Sequence, residues 1–238
     1  MSVSGTAEPA EARRATEFLD YGSEEVRDFT EAAVAGVGSD PVDRAVALYY
    51  AVRDGIHYEI YGADMSRSGL RASSTVRSGS GLCLHKSVLY AAAVRSLDIP
   101  CRLVLANVRN HLSSERIRTL FGGDVVHHHC LVSVRLNGKW VRATPVFNRA
   151  LCRLYRIAEL DFDGTTDAVF HPYDLDGRRS MEFLVEHGVF DDLPYDRVIE
   201  DVRAAHPGLF AASDGGGRRL TAGSLVADAS TPGTRSVP

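Results

Sequence analysis

Between Leu82 and Leu97 the sequence LCLHKSVLYAAAVRSL carries apolar groups around most of a helix's circumference. Cys83, Ser87, Tyr90, Val94 and Leu97 recur at helical spacing, and Leu84, Val88, Ala91 and Ala92 cover the adjoining strip. A helix of this kind offers almost no solvent face, so it belongs at the centre of a core with other elements packed around it. SGSG leads into it and DIP stops it, because the residue before a proline is pushed out of helical backbone. The chain can supply such a core: 238 residues, 45% hydrophobic and 24% charged, fit one globular domain with loose ends.

Those ends are expected at residues 1–15 and 211–238, which are rich in small and polar groups and read as disordered, leaving a folded domain over 16–210. Within it the spacing predicts helices over 23–34 and 40–53, the second opened by an Asp cap with Pro at its first position and closed by Gly. CRLVLANV alternates as a strand, and HLSSERIRTLF reads as a short helix capped by Ser113 or Ser114. Beyond Asn148, RALCRLYRI, RRSMEFLVEHG and YDRVIEDVRAAHP suggest further helices, separated by the acidic turns DFDGTTD and HPYDLDG. Helices before and after a block of strands point to an α+β fold.

DVVHHHCLVSVRLNGKWVRATPVFN is a hairpin, with Asn137 and Gly138 as its two-residue turn. Counting back from that turn sets His129 opposite Val146, Leu131 opposite Thr144 and His127 opposite Asn148. Thr144 becomes the diagonal neighbour of His129 on one face, roughly 7–8 Å away between Cα atoms. His127, His129, Ser133, Arg142 and Thr144 share the more polar side. Cys130, Val132, Val134, Leu136, Val141, Ala143, Pro145 and Phe147 form an apolar row on the other.

A net charge of −4 carries no basic footprint, which argues against nucleic acid and against an anionic membrane surface as partners. No run approaches the roughly 18 apolar residues a spanning helix needs, and the N-terminus has no apolar core of a leader, so a cytoplasmic protein is expected. Cys83, Cys101, Cys130 and Cys152 are too sparse for a disulfide scaffold. A reducing compartment would keep them as thiols.

The order Gly-x-Cys at a helix start, an Ile-Pro-Cys-Arg strand entry, a His-bearing strand and a return through Trp-Val-x-x-Thr-Pro resembles the transglutaminase-like superfamily, a papain-related group. The likeness rests on residues 81–104, 129–134 and 138–148, and looks like a bacterial member with Thr at the usual Asp position. It implies a nucleophile helix packed on an antiparallel sheet, with additional helices, and a Cys-His-Asp triad. Carried over by position, Cys83 is the nucleophile, His129 the base, and Thr144 stands where the Asp would be. The resemblance further implies no cofactor, and a peptide, protein or carrier-bound thioester as substrate.

A thiol at a helix N-terminus beside an imidazolium has a lowered pKa, which would make Cys83 a thiolate. A hydroxyl at position 144 can accept the ring N–H of His129 but cannot neutralise an imidazolium, so Asn148, Asp124 or Asp161 are alternative orienting groups. The backbone N–H of Cys83 is one oxyanion donor, and the second is unassigned; Arg77 stands where a papain-like enzyme has Gln. Arg109, Asn110, His127 and Asn148 are candidates for the substrate cleft, to which the HPYD segment at His171 could add a wall.

Two other readings stand beside this one. The missing Asp fits a catalytically silent domain that binds a peptide or partner protein in the same cleft. Alternate histidines at 127 and 129 with Cys83 and His85 could ligate zinc, but their separation of over forty residues lacks the tight paired spacing of zinc motifs, so no metal site is expected. DFDGTTD lacks the bidentate Glu of a calcium loop and reads as a turn. Oligomeric state has no signature in the sequence.

Overall fold

The computed structural model describes residues 10–111, 113–170, 175–177, 180–210, 220–221 and 223–230. Its first long helices, α1 (Glu24–Ala33) and α2 (Pro41–Gly55), start where their caps require. Ser23 accepts from the Val26 N–H, and Asp40 accepts from Val42 and Asp43 with Pro41 at the first position. A two-residue strand β1 (His57–Tyr58) follows, then α3 (Ala72–Ser78), which ends on Gly79 at φ +63 in the left-handed region open to glycine. Strand β2 (Ser80–Gly81) pairs parallel to β1 and delivers the chain into α4 (Cys83–Ser96).

All but one residue of α4 are buried, as its apolar circumference demands. It packs on a four-stranded antiparallel sheet built from β3 (Cys101–Asn110), β4 (Val125–Leu136), β5 (Lys139–Ala143) and β6 (Met181–Phe190), in the order β5-β4-β3-β6. Leu103 and Leu105 of β3, Cys130, Val132 and Val134 of β4, and Val141 and Ala143 of β5 share one core with Val88, Leu89 and Ala92 of α4. Each buried Leu or Val among them is worth about 1.5–3 kcal/mol relative to exposure. The remaining helices are α5 (Glu115–Phe121), capped by Ser114, α6 (Arg149–Tyr155), α7 (Tyr195–Ala205), α8 (Pro207–Phe210) and α9 (Leu225–Ser230). The fold is α+β, a nucleophile-type helix on an antiparallel sheet with additional helices around it.

Three buried cations tie this core together through backbone carbonyls. Lys86 Nζ donates to the carbonyls of Arg53 and Ile56 at the end of α2, and Arg95 donates to those of Cys101 and Arg14. Arg53 bonds the Leu160 carbonyl together with the carboxylates of Asp54 and Asp161.

Four expectations are corrected. RRSMEFLVEHG is not a helix: Met181–Phe190 is the edge strand β6, paired antiparallel with β3. Parts of the expected disordered ends are structured, since Ala10–Arg13 forms a 3-10 turn that buries Ala12, and Leu220, Leu225 and Asp228 are buried. The hairpin follows the expected register from Leu136↔Lys139 to Val132↔Ala143 and stops there. Thr144 instead donates its backbone N–H to Ala168, so Leu131–Thr144, His129–Val146 and His127–Asn148 are not ladder pairs.

The fourth correction concerns the His run. β3 pairs Ala106 with His129 and Val108 with Val126, so one residue of β3 faces two of β4. This bulge places His128 at φ +56 and breaks the alternation on which the shared face of His127 and His129 depended. Asp163 caps the Thr165 and Thr166 N–H groups, which makes DFDGTTD the turn it resembles.

Candidate active site

Cys83 is the first residue of α4 and is 5% exposed. Its entry is tight: a Cβ on Gly81 would lie 2.5 Å from the His85 Cβ, so only glycine lets β2 pass this close to the helix. Because β5 ends at Ala143, the backbone of Cys130 on that side of β4 is left without a strand neighbour. The start of α4 fills the gap. Ser87 Oγ donates to the Cys130 carbonyl at 2.7 Å. The helix start is thereby fixed to the residue next to His129.

Burial pushes the Cys83 thiol up to about 11, against the opposing pull of the N–H groups of Cys130, Leu84 and Cys83 itself. Burial also lowers His129 to about 4. A protein interior disfavours whichever form is charged, so burial works against the thiolate expected from the sequence and against an imidazolium alike. Neither ring nitrogen of His129 has a hydrogen-bond partner among the described residues. Its ring meets Phe183 edge-on at 6.4 Å between centroids.

Thr144 lines the same cavity as His129, with Val146, Leu160 and Phe170 among its walls. Its backbone is held firmly, by N–H to the Ala168 carbonyl at 2.9 Å and by Tyr49 Oη donating to its own carbonyl at 3.3 Å. The hydroxyl is buried and has no partner among the described residues. The alternative orienting groups lie elsewhere. Asp161 pairs with Arg53, Asp124 pairs with Arg109, and Asn148 accepts the Tyr58 N–H at 3.1 Å as the cap residue of α6. Arg77 pairs with Glu25 and Ser74 and is not an oxyanion donor to Cys83.

Of the expected cleft residues, His127 lines the cavity that holds Cys83, and Asn110 lines a smaller one that touches His129. Arg109 lines neither and pairs with Asp124 and Glu182; Asn148 lines neither. The HPYD wall at His171–Asp174 lies outside the described residues.

The sequence reading missed Tyr58, which lines both the Cys83 cavity and the smaller His129 cavity and sits edge-on to Phe147 at 4.9 Å. A two-residue strand leaves no periodicity by which to find it. His206 is also absent from that reading. That ring donates from Nδ1 to the Phe121 carbonyl at 2.8 Å and accepts the His127 N–H on Nε2 at 3.0 Å, at the wall of the Cys83 cavity. His128 also lines that cavity, bonding Asp201 of α7 at 2.7 Å and stacking on His187 at 4.4 Å.

No group of three or more His, Cys, Asp or Glu side chains among the described residues is arranged to hold a metal ion, and no described helix is long and apolar enough to cross a membrane.

A cysteine opening a buried helix that abuts an antiparallel sheet, with a histidine on the adjoining strand, defines the papain-like class of cysteine folds. Residues 27–145 match the transglutaminase-like superfamily, and the chain belongs to it. This is a family of cysteine-dependent hydrolases and acyltransferases. No curated protein matches the chain.

Among solved structures, similarity extends to a candidate cysteine protease from Cytophaga hutchinsonii, with 12% identity over 79% of this chain and 57% of that one, and a TM-score of 0.43. Arylamine N-acetyltransferases from Mycobacterium abscessus and Nocardia farcinica are 16% and 17% identical, over 56% and 60% of this chain. Of their own length, 46% and 49% is covered, with TM-scores of 0.40 and 0.39. The chain thus spans little more than half of the first and less than half of the other two, and these scores carry no argument about activity.

Proposed function

We propose that the protein is a cysteine-dependent hydrolase or acyltransferase that acts on an amide or thioester carbonyl through an acyl-Cys83 intermediate. Cys83 is the nucleophile and His129 the general base. The observation that carries this reading is the junction of α4 with β4, where Ser87, one turn beyond Cys83, donates its hydroxyl at 2.7 Å to the carbonyl of Cys130, the neighbour of His129.

The thiol proton passes to the His129 imidazole as the sulfur attacks the carbonyl carbon. The new C–S bond forms and the bond to the leaving group breaks. The imidazolium returns its proton to the departing thiolate or amine. Water or an amine then attacks the acyl-thioester, losing its proton through His129, and releases an acid or an amide with Cys83 restored. The developing oxyanion lies nearest the backbone N–H of Cys83 at the free start of α4. Thr144 acts in this scheme as a wall of the His129 cavity, with its hydroxyl available to a water or to the ring.

A second reading is supported by the surroundings of His129, whose cavity lacks any carboxylate among the described residues. It is the silent domain that binds a peptide or protein partner in the same cleft. Intact-mass detection of an acyl adduct after exposure to a panel of thioesters separates the two. An adduct that disappears in Cys83→Ala and slows at least a hundredfold in His129→Ala supports catalysis. An unmodified protein across the whole panel favours the binding domain.

A further inference from the structure

Three cavities with shared walls are lined by Cys83 or by His129, the first and third by His129 and the second by Cys83. The first, about 530 Å³ counting its open mouth, is walled by His129, Thr144, Phe147, Leu160, Val169 and Phe170. The second, about 420 Å³, holds Cys83 among Ile60, Leu82, Phe121 and Val202, with the ring of His127. The third, about 360 Å³, bridges them through Tyr58, Ile117 and Met181. Among the described residues, none of the three is lined by a Lys, Arg, Asp or Glu side chain.

The molecule does place charge close by. A separate cavity that includes Ser80 and Gly81 is lined by Glu59, Asp64 and Arg77 with further serines. Among the described residues, charge is therefore segregated from the Cys83 and His129 cavities, whose described walls are aliphatic, aromatic, imidazole, hydroxyl, amide, thiol or thioether.

From this segregation we infer that the acyl group placed on Cys83 is uncharged and apolar. The inference rests on the acyl-Cys83 reading above and names its substrate class. A substrate carboxylate or ammonium entering these cavities would lose its water and find no opposite charge, which is the most costly way to bury a polar group. An alkyl or aryl acyl chain instead exchanges water for Phe147, Leu160 and Phe170. The same walls disfavour the ammonium of a lysine side chain as acceptor, leaving water or a neutral amine to resolve the intermediate.

The test compares two four-carbon acyl groups that differ at one end. The full chain is mixed with S-butyryl- or S-succinyl-N-acetylcysteamine, and the rate of acyl-Cys83 formation is read by intact mass. Butyryl transfer is expected to be at least tenfold faster, and equal or faster succinyl transfer overturns the inference. Val169→Lys, which sets an ammonium in the first cavity, is expected to narrow the preference at least threefold, whereas Val169→Leu retains it. An unchanged preference in Val169→Lys removes that cavity from the acyl site.

A binding measurement keeps the inference separate from the chemistry. Cys83→Ala protein is titrated with butyramide and with succinamate by saturation-transfer NMR, with binding of butyramide and none of succinamate expected. Binding of succinamate as strong as that of butyramide, or of neither compound, overturns it. Butyramide binding without acylation of wild-type Cys83 by either thioester would retire the catalytic reading and leave the pocket's ligand class standing.

Discussion

Ser87 donates its hydroxyl to the carbonyl oxygen of Cys130 at 2.7 Å, one helical turn beyond Cys83 and one residue beyond His129. Both ends of the bond are buried, so it fixes the height of the helix start against the strand. Ser87→Ala leaves the Cys130 carbonyl without this donor at a cost of about 1–3 kcal/mol, the usual penalty for a buried polar group that loses its partner. The expected outcome is a lower denaturation midpoint in urea together with slower acylation of Cys83. A variant that loses stability but acylates at the wild-type rate would show that the bond does not hold the reacting groups in register.

Thr144 and His129 share a cavity but differ in what each can contribute. Removing the base from a general-base mechanism costs about a hundredfold or more, so His129→Ala is expected to lose at least that much in acylation rate. Thr144→Ala is expected to lose no more than about threefold, because the hydroxyl bonds nothing described. Thr144→Val is the sharper probe. A buried hydroxyl without a partner is unfavourable relative to a methyl of the same shape. The variant is expected to be as stable as wild type or up to about 1 kcal/mol more stable by thermal denaturation. A clear loss of stability would reveal a water bridging Thr144 Oγ1 to the His129 ring.

The pH dependence of thiol reactivity follows from burial. With Cys83 raised to about 11, the thiolate is a minor species at neutral pH, and its fraction grows about tenfold per pH unit while pH stays below that value. Iodoacetamide modification of Cys83 in the free protein is expected to be slow at pH 6 and to climb continuously from pH 7 to 10. A plateau reached below pH 7 would mean that Cys83 and His129 exist as an ion pair despite their burial. Loss of the signal in Cys83→Ala, with Cys101, Cys130 and Cys152 intact, assigns it to Cys83.

How far the sequence discloses this arrangement depends on whether each signal is local. Caps are local: Ser23, Asp40 with Pro41, and Ser114 all stand at helix starts they announce. So is the Asn137-Gly138 turn, which sets the pairing back to Val132↔Ala143. The bulge at His128 is not, because it depends on Asn107 of β3, whose Oδ1 accepts both the His128 N–H at 3.2 Å and the His187 ring at 2.7 Å. One extra residue in β4 sends His127 to the Cys83 cavity and leaves His129 beside Thr144. β6 was misread for a related reason. As an edge strand it has one pairing partner, β3, far away in sequence, and its exposed Val185 and Val189 blur the alternation that would mark a strand. Ordered motifs single out Cys83 and His129 in the sequence, whereas the charge of either side chain depends on burial that no motif reports.

His206 couples the same region to pH. It is neutral by construction, since Nδ1–H donates to the Phe121 carbonyl and Nε2 must keep a lone pair for the His127 N–H. Burial lowers its pKa below the ordinary histidine value. The sign follows: a group disfavoured in its charged form in the fold contributes stability above the unfolded pKa of about 6.5, and that stability is lost as pH falls toward the lowered value. His85 and His129, both lowered to about 4 by burial, act in the same direction. Stability is therefore expected to decline from pH 7 to 5, and His206→Gln to flatten that decline. An identical slope in the variant would assign the dependence to the other histidines.

Lys86 supplies the last test, and the most severe on the core. Its side chain is fully buried, and Nζ donates to the carbonyls of Arg53 and Ile56 where α2 ends. Burial lowers its pKa to about 7, partly opposed by the Asp54 carboxylate. The unfolded chain holds this lysine charged up to about pH 10.4, so the fold gives up stability as pH falls from there to about 7, and below 7 the deficit stays constant. Lys86→Met removes that dependence but strands two helix-end carbonyls, a cost of about 2–3 kcal/mol if they find no water. The expected result is a lower denaturation midpoint at pH 9 than wild type, with the difference shrinking toward pH 6 because only wild type carries the penalty of a buried ammonium. A difference that stays constant from pH 6 to 9 would mean that Lys86 remains charged in the core throughout, and that its two carbonyls and Asp54 hold it so.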